Sequence, residues 1–219
     1  ALLACYAAAI ANEENYSQAL ALADQVINIS DSYLNCREYA NSLNLISAVV
    51  LYLDSPYQKS IDFHYKGSQR GMESGELARA AIHFVNISLL KFSQGENLKS
   101  VEQFAILSKA KSRAFFLPIP MLNEKLAQAL LSGLPEDFYA LTDDKFDPDY
   151  LFRIKQSLHN IHLLQYQSQL AFWFDEAQEA LLPATLVHSK MEAFPQFCFC
   201  IDHLLQYGLL LIRQLTLPN

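Results

Sequence analysis

Tyr16, Tyr57 and Leu98 each open a similar segment, and they stand 41 residues apart. The segments read Asn15-Tyr-Ser-Gln-Ala-Leu20, Pro56-Tyr-Gln-Lys-Ser-Ile61 and Asn97-Leu-Lys-Ser-Val-Glu102, each after an apolar stretch that ends in polar or turn residues. A period of this length is the mark of stacked helix pairs, each unit burying its apolar face against the next. A fourth copy, Ala177-Gln-Glu-Ala-Leu181, begins 79 residues after Leu98. That gap holds about two further units, one of them less regular, and sets Ala19, Ser60, Val101 and Ala180 in equivalent places.

A chain with this repeat and few breakers reads as all-α. Of 219 residues, 52% are hydrophobic, and only 6 are glycine and 8 proline. This is enough apolar material for one domain over residues 1–219. The net charge of −7 and the absence of a Lys/Arg stripe argue against a nucleic-acid partner. Cys5, Cys36, Cys198 and Cys200 lack a CxxC spacing and read as reduced, packed thiols, with no disulfide or metal site. Ala1-Leu-Leu-Ala-Cys5 has the look of a lipoprotein cleavage box, but no basic segment precedes it and it fits a first helix. The expectation is a cytoplasmic fragment of a longer chain, beginning mid-helix. The most apolar window, Phe194 to Leu217, carries Asp202, His203 and Arg213, which predicts a packed helix and no membrane span.

Periodicity and breakers predict first and second helices in pairs: Leu2–Ala11 with Ser17–Ile29, Arg37–Leu53 with Tyr57–Glu73, and Glu76–Ser93 with Leu98–Phe115. After Pro118 and Pro120 a helix is expected over Met121–Ser132, followed by an acidic irregular stretch, Glu136–Asp149, with a helix starting after Pro148. Ile161–Phe174, Glu176–Met191 and a last helix over Pro195–Leu215 complete the pattern.

Small residues at Ala7, Ala48 and Ser168 in first helices, and at Ala19, Ser60 and Ala180 in second helices, resemble those of a tetratricopeptide (TPR) unit, although Leu89 and Val101 depart from it and the period is longer. The segments Tyr65-Lys-Gly-Ser-Gln-Arg-Gly-Met-Glu-Ser-Gly-Glu-Leu-Ala-Arg-Ala-Ala81, Gly95-Glu-Asn-Leu98 and Phe174-Asp-Glu-Ala177 are similar to the helical region of very large signalling proteins. Those proteins join a Ser/Thr kinase-like module and an AAA-type ATPase to sensor and histidine-kinase modules; related arrays occur in ligand-sensing transcription activators. The resemblance implies a right-handed, TPR-like α-solenoid of antiparallel helix pairs, with a repeat of about 40 residues. It implies a scaffold that binds a protein, a peptide or neighbouring modules and relays a signal. The alternative is a small-molecule sensor.

No catalytic motif is present: there is no Walker loop, kinase catalytic loop or Gly-x-Ser-x-Gly elbow. Gly67, Gly71 and Gly75 recur on one helical face, which predicts close approach of the neighbouring helix, with Gly75 ending its own. His64, His83, His159, His162, His188 and His203 read as surface or groove histidines with no metal role. Asp143, Asp144, Asp147 and Asp149 lack the glycine and terminal glutamate of a calcium loop and read as a solvated acidic loop. No cofactor is expected. The repeat register predicts a concave groove along the first helices, lined by Leu45, Val49 and Tyr52, then His83, Asn86 and Leu90, then His162, Gln165, Gln169 and Phe172. Trp173 is expected to pack against Leu181.

Overall fold

A computed structural model describes residues 2–11, 15–32, 38–51, 56–112, 119–133, 157–174, 176–191 and 199–216. Among these residues every regular element is a helix. They are α1 (Leu2–Ala9), α2 (Tyr16–Ser32), α3 (Glu38–Leu45), α4 (Tyr57–Glu73), α5 (Leu77–Ser93) and α6 (Leu98–Ser112), then α7 (Ile119–Ser132), α8 (Ser157–Trp173), α9 (Ala177–Met191) and α10 (Phe199–Thr216). The expected acidic loop and the helix after Pro148 lie outside the described residues, as do Tyr52, Cys36 and Cys198 and the side chains of His159 and Cys200.

The boundaries follow local chemistry. Pro56 precedes α4 with φ −50° and ψ 144°, an extended geometry from which a helix can start. α4, α5 and α7 each end next to a glycine of positive φ, Gly75 at 79°, Gly95 at 77° and Gly133 at 70°, where a Cβ would be strained. The Asn97 side chain accepts from the backbone N–H of Lys99 at 3.0 Å and so caps α6. Two expectations need correction. α7 begins at Ile119 and takes Pro120 into its first turn, where the missing N–H has no helical partner to lose. The single helix expected over Arg37–Leu53 instead changes form at Ile46–Val50, a π-helical turn closed by the Leu51 N–H donating to the Ile46 carbonyl, with all five of its residues buried.

Each helix packs on the next within the runs α1 to α2, α3 to α7 and α8 to α10. Further contacts join α1 to α3, α3 to α5, α5 to α7, α7 to α8, and α8 to α10. These helices make a contiguous inner layer, backed by α2, α4, α6 and α9. The small-residue positions sit inside these contacts, with Ala7, Ala19, Ser60, Ser168 and Ala180 all fully buried. In the α4/α5 pair the glycines admit the neighbour as expected: a Cβ on Gly67 would collide with the His83 ring, and one on Gly71 would stand 3.0 Å from the Ala80 backbone nitrogen. Because the lower number on one helix meets the higher on the other, this pair runs antiparallel.

Clamps on the outside tie the layers together. Asp31 accepts from Lys66 Nζ at 2.6 Å and from the Tyr39 hydroxyl at 2.7 Å, joining α2, α3 and α4. Burial raises the Asp31 carboxyl, but these two donors outweigh it and hold the group below its ordinary pKa. α6 and α7 are joined by the Lys109–Glu124 ion pair.

Candidate functional site

The inner layer is held by polar side chains as well as apolar ones. Asn86 donates to Asn44 at 2.9 Å between α5 and α3. Asn123 of α7 donates to the Ser88 hydroxyl of α5 at 2.8 Å and accepts from the Tyr166 hydroxyl of α8. Gln206 of α10 donates to the Ser168 hydroxyl of α8 at 2.8 Å. The Ser93 hydroxyl, at the end of α5, donates to the Asp202 carboxylate near the start of α10. This last bond bridges 109 residues of sequence and brings α10 back onto α5.

Where α10 returns, a cavity of about 510 Å³ opens between the α5/α6 turn, α7, α8 and α10. Gln169 and Gln206, only 8% and 7% exposed, are among its lining residues, although the side-chain carbonyl oxygens of both are buried away from it, without a hydrogen-bond partner. Asp202 stands beside them in the wall, where burial pushes its carboxyl above the ordinary 3.8 while the bond from Ser93 opposes the rise. Phe92, Phe172 and Trp173 supply aromatic surface, and Leu205 and Leu209 form the rim with Trp173. Helical spacing arranges this wall: Gln169, Phe172 and Trp173 occupy positions i, i+3 and i+4 of α8, and Asp202, Leu205, Gln206 and Leu209 occupy i, i+3, i+4 and i+7 of α10. Among the described residues, no lysine, arginine or histidine lines the cavity. Glu96 lines it too, but that carboxylate is engaged, accepting from Lys91 at 2.6 Å and from Ser100 at 2.9 Å.

The residues expected to form one groove are thus divided. Gln169 and Phe172 line the cavity. Asn86 spans α5 and α3, while His162 and Gln165 are buried within the packing of α8. His83 is also a core residue: its Nε2 donates to the Ala40 carbonyl at 2.9 Å, and its Nδ1 lies 2.8 Å from Nδ1 of His64. Since a carbonyl only accepts, His83 carries its proton on Nε2 and His64 must donate from Nδ1. Burial drives His64 well below 6.5, the neighbouring His83 adding to the effect, and it drives His83 down to about 4. The expectation of surface or groove histidines is therefore corrected: His64, His83, His162 and His203 are all buried. A neutral imidazole can be buried at small cost where it fills space left by a glycine, as His83 does over Gly67.

Two further corrections follow from packing. Trp173 is 65% exposed on the cavity rim, and it is Phe172 that joins Leu181 against the Ala171, Ala180, Ala184 and Leu210 cluster. Cys5, expected to be packed, is an exposed free thiol. The cavity's Asp202, Gln206 and Leu209 were legible only as polar interruptions and spacers of an apolar helix, because the partners that give them a role are remote in sequence. Among the described residues no group of three His, Cys, Asp or Glu side chains is placed to hold a metal ion, and no helix is long and apolar enough to cross a membrane.

No protein-family model matches this chain, and no curated protein or solved structure is significantly similar to it.

Proposed function

We propose that the chain is a non-catalytic sensor domain that binds a small molecule in the cavity beside α8 and relays its occupancy through the inner helical layer. The observation that carries this reading is the cavity of about 510 Å³ itself, walled mainly by aromatic and leucine side chains with Gln169, Gln206 and Asp202 among its polar residues. The volume lies within the range of about 300–1,000 Å³ usual for small-molecule sites.

In this reading the helices form a TPR-like α-solenoid, and the ligand acts as a bridge. It touches α5, α7, α8 and α10 together, so it favours whichever arrangement keeps those helices closed. A thermal-shift screen of the chain against a metabolite library tests this. A saturable rise that is lost in Gln169→Leu, with the unliganded melting point retained, is the expected result. No rise with any molecule would count against it. A second reading, a docking surface for a protein partner within a large signalling protein, is favoured by the exposed leucines of α10, with Leu205 68% and Leu215 87% exposed.

A further inference from the structure

Resting on the sensor reading, we infer that the cavity takes an uncharged aromatic molecule bearing a hydrogen-bond acceptor, such as a ketone, which the amide nitrogen of Gln169 holds. The inference comes from which polar groups of the described lining are already engaged. Asp202 accepts from Ser93, itself in the wall, and Glu96 accepts from Lys91, Ser100 and Gln94. Gln206 donates through Nε2 to Ser168, and its oxygen is closed off from the cavity. Gln169 differs. Its oxygen is closed off as well, but its Nε2 stays accessible and makes no hydrogen bond to a described residue. An amide is planar, with oxygen and nitrogen on opposite sides of its carbon, so a group that turns its oxygen inward turns its N–H donors outward. The counterpart of those donors is an acceptor.

The body of the molecule follows from the rest of the wall, which is apolar: Phe92, Phe172 and Trp173 with Leu98, Leu130 and Leu209. Phe172 and Trp173 stand edge to face, with centroids 5.7 Å apart and planes at 77°. A flat ring stacked parallel to one is therefore nearly perpendicular to the other, and these are the two arrangements that aromatic rings favour. Charge is disfavoured in either sign. A carboxylate would lie beside Asp202 and Glu96, and any ion would leave water for leucine and ring carbon while both wall carboxylates are already bonded. Burial raises the Asp202 carboxyl, which reflects the same preference for the uncharged state.

The test titrates three probes of one skeleton calorimetrically into the whole chain: 2-acetylnaphthalene, 2-ethylnaphthalene and 2-naphthoate. The ketone is expected to bind between about threefold and tenfold tighter than the hydrocarbon, the margin of one hydrogen bond, and the carboxylate weakest. Gln169→Leu should bring the ketone to the hydrocarbon's affinity and leave the hydrocarbon unchanged. The ranking of the three probes on the wild-type chain needs no variant, so it decides the assignment even where Gln169→Leu does not fold. Equal binding of ketone and hydrocarbon, binding of the carboxylate as tight as the ketone, or a ketone preference that survives Gln169→Leu overturns the assignment and leaves the sensor reading standing. No saturable binding by any of the three also overturns the assignment, and the sensor reading falls with it only when no member of a metabolite library binds either.

Discussion

At the residue scale the densest chemistry is the pair His64 and His83, wedged between α4, α5 and the Ala40 carbonyl. Both imidazoles are neutral when folded, because burial keeps them below 6.5. An unfolded chain takes up protons on them once the pH drops below about 6.5, whereas the folded His83 resists until about 4. The stability they contribute is therefore complete above pH 6.5 and is lost as pH falls through the interval down to about 4. His203, held at about 4 by burial and by the neighbouring His188, adds to the same slope. Melting temperature measured from pH 7.5 to 4 should fall steeply across this window, and replacing His64 and His83 together by leucine should flatten the fall. Gly67→Ala places a methyl group into the His83 ring, with α4 and α5 both fixed around it. A loss on the order of 3 kcal/mol is expected, read by urea denaturation.

At the scale of elements, α10 and α7 give opposite expectations. Gly208 lies inside α10, and a Cβ there meets nothing within 4 Å. Gly208→Ala should raise stability by about 1 kcal/mol, since only the helix propensity changes. Asn123 of α7 serves Ser88 and Tyr166 at once, so Asn123→Ala removes two buried hydrogen bonds and should cost about 1–3 kcal/mol in the same assay. The helices themselves were largely legible in the sequence: α4 runs over the residues expected, α6 starts at the residue expected, with its expected end outside the described residues, and α5, α8 and α9 differ by a few residues. Breakers and a fixed period are local signals, available to anyone reading along the chain. The π-helical turn at Ile46–Val50 was not legible, because an apolar run reads the same with one residue more in the turn. Nor was the direction in which α8 presents its residues. It is buried on nearly every side, from Ile161 through Ala171, so no polar stripe marked which residues met a neighbour and which met the cavity.

At the scale of the whole molecule, register along first helices predicted a continuous groove, but the observed cavity is a meeting of parts distant in sequence. Of the expected binding residues that are described, Gln169 and Phe172 line it, and their companions Ser93 and Asp202 lie 109 residues apart. Removing residues 199–219 should therefore reach well beyond α9: amides at the end of α5 are expected to exchange faster in hydrogen-exchange measurements, while those of α2 keep their protection. The Ser93–Asp202 bond also has a temporal meaning. Contacts between successive helices close short loops and form early, whereas a contact across 109 residues waits for everything between to be in place. A molecule lodged where α5 and α10 meet, as the sensor proposal requires, would select chains that have finished folding, and its binding would report maturity as much as concentration.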